Sequence, residues 1–421
     1  MPSSPAVPAS AALHDAPASA GAATSTGPLD GITVIELGQL IAGPFACQIL
    51  GDFGAEIIKV ELPEGGDPMR QWGRLTPEGE SLWWSVIGRN KKSVTLDVRT
   101  PAGRSALLSL ISTADVVVEN FRPGTLESWG LAYEDLTAQN PGLIMVRVSG
   151  FGQTGPYSHR AGFGAIGEAM GGLRYLVGEP GRPTVRTGLA LADAVSGLMG
   201  ALGAVISLLE RRSSGLGQVI DVALYESMLT LMESIIPEYV ATGEIRERTG
   251  ATLPGVAPSN VYPTADGRDI VIAGNHDSVF RRLTELMGRP ELADDPRFTS
   301  HVARGEHMAE IDEILGSWTK TQLSDELVEA LAQAGVPAGP IYRAPDMLAD
   351  PHFAARDSLV SVDHPTLGSL VMQNVAPKAS RTPGTIRWVG PALGAHNDEV
   401  LADRLGLTPE QIEQSQGRGA V

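Results

Sequence analysis

The chain of 421 residues carries one cysteine, Cys47, so it closes no disulfide within itself and builds no cysteine metal site, which fits a reducing compartment. It also lacks basic surplus. Its 32 Lys and Arg stand against 49 Asp and Glu, a formal net charge of -17, which argues against nucleic acid or an anionic membrane as partner. The eight histidines are dispersed, with no H-E-x-x-H and no i, i+4 pair, so no metal site is expected. No G-x-G-x-x-G follows the first strand-like segment, and neither a phosphate loop nor a G-x-S-x-G elbow occurs, which weakens dehydrogenase, NTPase and serine-hydrolase readings. No run approaches the roughly 20 apolar residues of a membrane helix. Residues 1–28, rich in Ala, Ser, Pro, Gly and Thr without an apolar run, read as a flexible tail and not a signal or transit peptide. The expectation is a soluble cytoplasmic protein with 43% hydrophobic residues and room for two domains.

What is present begins with DVVVENFRPGTLESWGL, residues 115–131, an apolar β-branched strand that stops at a polar, Pro- and Gly-containing segment. Four further segments end alike: ITVIEL into GQLIAGP, AEIIKVEL into PEGGDPMRQW, KSVTLDV into RTPAGR, and LIMVRVSG into FGQTGPYSHRAG. Helical spacing in PFACQILGDFG and AGRSALLSLISTA separates them, so the first 150 residues read as a βαβ series and a parallel sheet. The carboxyl ends of such strands line the ligand crevice, which places Ile41, Ala42, Arg70, Trp72, Val98, Arg99, Asn120, Phe121, Arg122 and the 150–163 loop along one edge.

Residues 191–212 form a helix with Ala194, Gly197, Gly200, Ala201, Gly203 and Ala204 along it. Each glycine disfavours an isolated helix by about 1 kcal/mol, so their number implies a backbone packed very close and a buried helix. Asp193 precedes its glycine-rich stretch, either as an N-cap or as a carboxylate nucleophile able to form a mixed anhydride with a thioester. From about residue 250 the pattern changes. SNVYPTADG and RDIVIAGN suggest a hairpin across Asp266-Gly267, and three helical stretches follow, as expected of a smaller α+β domain. No internal repeat and no coiled-coil heptad is present.

The sequence resembles the class III CoA-transferases, a family that also holds the α-methylacyl-CoA racemases. The resemblance runs from about Leu29 to Leu407 and is carried by LDGITVIELGQLIAGPFACQILGDFGAEIIKVE, RNKKSVTLDV, VENFRPGTLESWGL, VSGFGQTGP and the Gly188 to Asp193 stretch. It implies a Rossmann-like CoA-binding domain over 29–230, a small domain over 250–345, a C-terminal segment over 346–421 returning to the large domain, and interlocked homodimers. It further implies that Asp193 is the acyl-accepting aspartate and that Ile41, Ala42, Leu96, Asp97, Val98, Arg99, Asn120, Phe121, Arg122, Arg160 and Phe163 lie along CoA. CoA enters as a thioester substrate, with no prosthetic group. Two family arginines are absent, their positions holding Leu62 and Ser128; Arg70, Arg99 and Arg122 are the candidates to make up that charge. Racemase chemistry needs two bases, and the position that typically holds a histidine after Ala161-Gly162 is Phe163, so transferase is the expected activity. A racemase or a noncatalytic CoA-binding homologue are the rival readings. Arg186, seven residues before Asp193, is a candidate to hold the distal carboxylate of a dicarboxylic acid.

Overall fold

The computed structural model describes residues 27–417, so the expected N-terminal tail lies almost wholly outside the described residues. Six strands, β1 (Thr33–Glu36), β2 (Glu56–Glu61), β3 (Lys91–Thr95), β4 (Val116–Glu119), β5 (Ile144–Ser149) and β6 (Val219–Ala223), form one sheet in the order β3-β2-β1-β4-β5-β6. Every neighbouring pair is parallel. The chain builds outward from β1 in one direction, then from β4 in the other, so β1 and β4 flank a topological switch point, where ligand crevices open at the carboxyl ends of open α/β sheets.

Strand alternation sends successive side chains to opposite faces, and both faces are apolar. Val34, Ile57, Val116, Val118, Ile144 and Val146 meet one helical layer, while Ile35, Ile58, Val117 and Met145 meet the other. Four helices matter for the site: α1 (Ala42–Asp52), α2 (Pro101–Ile111), α3 (Gly164–Met170) and α4 (Leu191–Ser214). Helices α1 and α4 cover the first face through Ala46, Cys47, Leu50, Ala201 and Ala204, and α2 covers the second through Leu107, Leu110 and Ile111. The free edge of β3 is closed by the chain's C-terminal part. There the Ser93 and Thr95 amides donate to His396 Nδ1 (3.1 Å) and Asn397 Oδ1 (2.9 Å), and the Trp388 indole donates to the Lys91 carbonyl (2.9 Å).

The glycines of α4 do what their spacing predicts. A Cβ on Gly197 would lie 2.9 Å from the Ala42 carbonyl oxygen, and one on Gly200 3.2 Å from Val146. Two sequence expectations about this helix are corrected. It is not buried all round, because Leu198, Leu202, Val205, Ile206 and Leu209, at helical spacing, form an exposed apolar stripe opposite the glycine face. It is also 24 residues long and apolar enough, by length and composition, to cross a membrane, although small and polar residues interrupt its apolar run; its glycine face packs on α1 and the sheet.

Residues 174–186 and 234–350 make a second unit, while 351–421 group with the sheet unit; the 174–186 segment, read from sequence as part of the large domain, belongs with the smaller one. In that unit β7 (Ser259–Pro263), β8 (Asp269–Ala273) and β9 (Ala338–Pro340) form an antiparallel sheet whose first hairpin turns at Gly267, φ 76°. Helices Asp277–Leu286, Met308–Thr319 and Ser324–Gln333 supply its core with Phe280, Leu283, Ile311, Leu315, Leu327 and Leu331.

Candidate active site

Towards the carboxyl ends of β1 and β2, and from the start of β3, the face covered by α1 changes from apolar to ionic. Glu36, Lys59, Glu61, Lys91 and Ser93 all point to that face by strand alternation and register. Lys59 Nζ lies 2.8 Å from both Glu36 Oε1 and Asp67 Oδ2 and donates to the Gly38 carbonyl at 2.8 Å. Lys91 Nζ lies 2.8 Å from Glu36 Oε2 and donates to the Pro44 carbonyl at 2.7 Å. All four charged groups are at most 1% exposed. Burial opposes the charge on Lys59, but Glu36, Asp67 and Glu61 outweigh it and raise its pKa above the ordinary lysine value. Burial likewise pushes Asp67 up, and Lys59 with the Met69 and Leu40 amides pulls it below the ordinary aspartate value.

This network shapes the β1–α1 loop. Asp67 Oδ1 accepts from the Leu40 amide (3.0 Å) and the Met69 amide (2.9 Å), and Leu40 is held at φ 64°, a left-handed conformation that leucine rarely adopts. Asn120, at the end of β4, grips the same loop across the switch point: its Oδ1 accepts from the Gln39 amide (2.7 Å) and its Nδ2 donates to the Gln39 carbonyl (2.8 Å). The predicted binding residue Asn120 is therefore a brace of the loop that carries Ile41 and Ala42.

Asp193 is not an N-cap. Ala190 occupies that position, and Asp193 is the third residue of α4, half-buried in its first turn. A Cβ built on Gly164 would fall 2.1 Å from Asp193 Oδ2, so the carboxylate occupies the space that any other residue at 164 would need. Gly197, one turn along the same face of α4, rests on the Ala42 carbonyl, which ties the Asp193 turn to the start of α1. The segment leading to Gly164 is pinched in turn: a Cβ on Gly150 would lie 2.7 Å from Gly162 Cα, so the two ends of the 150–162 loop touch backbone to backbone. The runs GFGQTG (150–155) and GFGAIG (162–167) carry the glycine spacing sought after the first strand, but after β5; the sequence reading took the first only as part of the VSGFGQTGP motif and passed over the second.

The other expected binding residues divide. Leu96 and Val98 are buried after β3, and Arg99 is exposed but clasped by its neighbour, with Nε and Nη2 each 2.8 Å from Asp97, whose carboxyl is held below its ordinary pKa by that bond. Phe121 packs edge-on against Trp129 at 5.2 Å, and Arg122 is exposed beside it. Arg160 stacks on Tyr157 at 3.7 Å, and Phe163 is 66% exposed. Trp72 is exposed near Trp83. Arg70, expected to meet phosphate, is instead tied to Glu61 (2.7 Å) and stacked on Trp84 (3.8 Å), so its charge is compensated within the ionic network. Arg186 belongs to the second unit and is exposed. Sequence reasoning missed Glu36, Lys59, Asp67, Lys91 and Gly164.

A six-stranded parallel sheet with a carboxylate set at its carboxyl edge, opposite a braced switch-point loop, defines an α/β enzyme acting on a small ligand. Comparison with known proteins gives the family. Residues 29–397 match CoA-transferase family III, and the chain belongs to it as a class III CoA-transferase. It is 56% identical over 394 residues to the succinyl-CoA–D-citramalate CoA-transferase of Chloroflexus aurantiacus, covering 94% of this chain and 98% of that protein. It is 38% identical over 383 residues to the succinate–glutarate CoA-transferase of Agrobacterium fabrum, covering 89% of this chain and 95% of that one. Among solved structures, a CaiB/BaiF family protein from Brucella suis superposes with a TM-score of 0.80 at 37% identity, over 90% of this chain and 99% of that one.

Two outcomes follow from the geometry. Gly164→Ala is expected to cost only about 1–3 kcal/mol of stability, because its backbone suits alanine, yet to lower CoA transfer about a hundredfold by displacing Asp193. Unchanged turnover by a folded variant would mean that the carboxylate's seat on Gly164 is unimportant. For the ionic network, a depressed Asp67 contributes stability that is present above the ordinary carboxylate pKa of about 4 and is lost as pH falls through its folded value. Asp67→Asn should therefore cost about 3–5 kcal/mol at neutral pH, with the gap to wild type narrowing below about pH 4. Denaturant melts across pH check this, and an equal penalty at both ends would contradict it.

Proposed function

We propose that the protein moves CoA from succinyl-CoA to a second dicarboxylic acid of the citramalate, malate or glutarate class, with Asp193 as the covalent carrier. The observation that carries this reading is the Asp193 carboxylate seated on Gly164 at the carboxyl edge of the sheet, in a chain whose relatives are named for those donors and acceptors. The strand order agrees with a Rossmann-like sheet binding CoA at its switch point.

In the first step Asp193 attacks the succinyl thioester, the C–S bond breaks, and CoA leaves as a thiolate from a succinyl-aspartyl anhydride. The thiolate attacks the aspartyl carbonyl, releasing succinate and leaving CoA on Asp193 as a thioester. The acceptor carboxylate attacks that thioester and frees the thiolate again, which finally takes the acceptor's acyl carbon and returns Asp193 as carboxylate. Each step exchanges one activated carboxyl for another, so the sequence balances without ATP. Racemisation would need a base where Phe163 stands.

The same reading includes a homodimer in the cytoplasm. The exposed stripe Leu198, Leu202, Val205, Ile206 and Leu209, together with Val219 on the edge strand β6, is an apolar surface of the kind a second copy would bury. Wild type is expected to sediment as a dimer at micromolar concentration and Leu202→Glu to lower the dimer fraction; a monomeric wild type would discard this part.

Asp193→Ala is expected to abolish transfer while CoA binding persists, and borohydride or hydroxylamine added during turnover is expected to mark residue 193 in the wild type. Retention of more than about a hundredth of the activity by the folded variant would remove Asp193 from the covalent role.

A further inference from the structure

A serine inside a helix can settle its hydroxyl on the carbonyl four residues back, and the buried Ser227 does so, donating to the Ala223 carbonyl at 3.0 Å. Ser207, buried in α4, accepts from Gln218 Nε2 at 2.9 Å. Ser196 of the same helix does neither. It is 0% exposed, and among the described residues its Oγ has no hydrogen-bond partner. A hydroxyl shut away from water without a partner destabilises the fold, so this serine is kept against stability.

Its place in α4 gives that cost a use. Ser196 is three residues beyond Asp193, and side chains three apart on a helix are neighbours, with Cβ atoms about 5–6 Å apart. Each Cα–Cβ bond also tilts towards the helix N-terminus, so the hydroxyl leans towards the turn that carries Asp193. The glycines of α4 show where this face looks: Gly200 lies against Val146 of β5 and Gly203 against Ile220 of β6. Ser196, one turn before Gly200, therefore lies on the inner side of the half-buried Asp193, towards the carboxyl ends of those strands.

In the proposed reaction the carboxyl carbon of Asp193 is itself attacked twice, by the CoA thiolate on the anhydride and by the acceptor carboxylate on the aspartyl thioester. Each attack turns the Asp193 carbonyl oxygen into an oxyanion. A donor already in place and away from water stabilises such a charge with no reorganisation at the moment of reaction. In the opening attack on succinyl-CoA the charge develops on the succinyl carbonyl instead, so that step does not draw on a donor beneath Asp193.

We propose that the Ser196 hydroxyl is the buried catalytic donor to the Asp193 carbonyl oxygen in those two attacks; the inference rests on the reading of Asp193 as the covalent carrier. The test mixes wild type, Ser196→Ala and Ser196→Cys with succinyl-CoA alone and follows, by rapid quenching and intact mass, the attachment of CoA to residue 193. Steady-state transfer to D-citramalate and thermal melts accompany it. Ser196→Ala should attach CoA and turn over about ten- to a hundredfold more slowly without raising KM for succinyl-CoA, and should melt no lower than wild type. Ser196→Cys, a weaker donor of similar size, should fall between the two. A wild-type rate in Ser196→Ala overturns the proposal, and so does a slow variant that melts several degrees lower, the mark of a packing role. A wild type that transfers CoA yet never carries it on residue 193 removes the covalent reading and this proposal with it. Labelled wild type beside an equally fast Ser196→Ala removes the proposal alone.

Discussion

The contact between Lys59, Glu36 and Asp67 is the constraint on which the rest of the site depends. A lysine beneath the β1–α1 loop has no water to solvate it, so it must find carboxylates and carbonyls, and those partners fix the loop. Glu36 gains a second lysine, Lys91, whose remaining bond goes to Pro44 in the first turn of α1. Asp67 spends its other oxygen on the Leu40 amide and so sustains a left-handed leucine. The cost of the strained residue is offset by the cost of breaking a buried ion pair, which is larger. A loop held in this way has its shape before any ligand arrives, and ordering it adds little to the cost of binding.

Glycine plays the complementary part around Asp193. Ionic contacts fix the loop from below, whereas missing side chains let the helix that carries Asp193 rest on the backbone of α1 and let the β5–α3 segment close on itself. Gly197 lets α4 reach the Ala42 carbonyl, Gly150 and Gly162 let a loop close on itself, and Gly164 leaves room for the carboxylate. Substituting any of these does not remove a contact but inserts atoms where backbone or carboxylate already stands, so the penalty is steric and local.

The sheet was legible in the sequence because its strands are short apolar runs ending in Gly, Pro and polar clusters, and the helices between them have clear periodicity. The expected place of the candidate site was legible in outline, because strand ends in a parallel sheet fall on one edge. What escaped was the buried charge. AEIIKVEL reads as an apolar strand with three surface charges, and only its register against β1 and β3 shows that Lys59 and Glu61 face inward with Glu36 and Ser93. Arg70 was misjudged for the same reason, since its partner Glu61 looks solvent-facing in one dimension. Asp193 was found through resemblance; local sequence favoured an N-cap, because a single chain cannot show that Ala190 starts the helix or that Gly164 lies beneath the carboxylate.

The network also bears on how an acidic chain can receive anionic substrates. Lys59, Lys91 and Arg70 sit among Glu36, Glu61 and Asp67, so three cations meet three carboxylates and the cluster is close to neutral. It contributes shape and little field. A protein of formal net charge -17 has no long-range attraction to offer a CoA ester or a carboxylate, and beyond about 8 Å at physiological salt such attraction is screened in any case. Affinity for those anions must then come from short-range donors at the sheet edge. Backbone amides of the braced loops are donors that leave net charge unaltered, and the arginines not already bound to a carboxylate are the cations open to an anion. In such a site the carboxylates decide which cations remain available to the substrate.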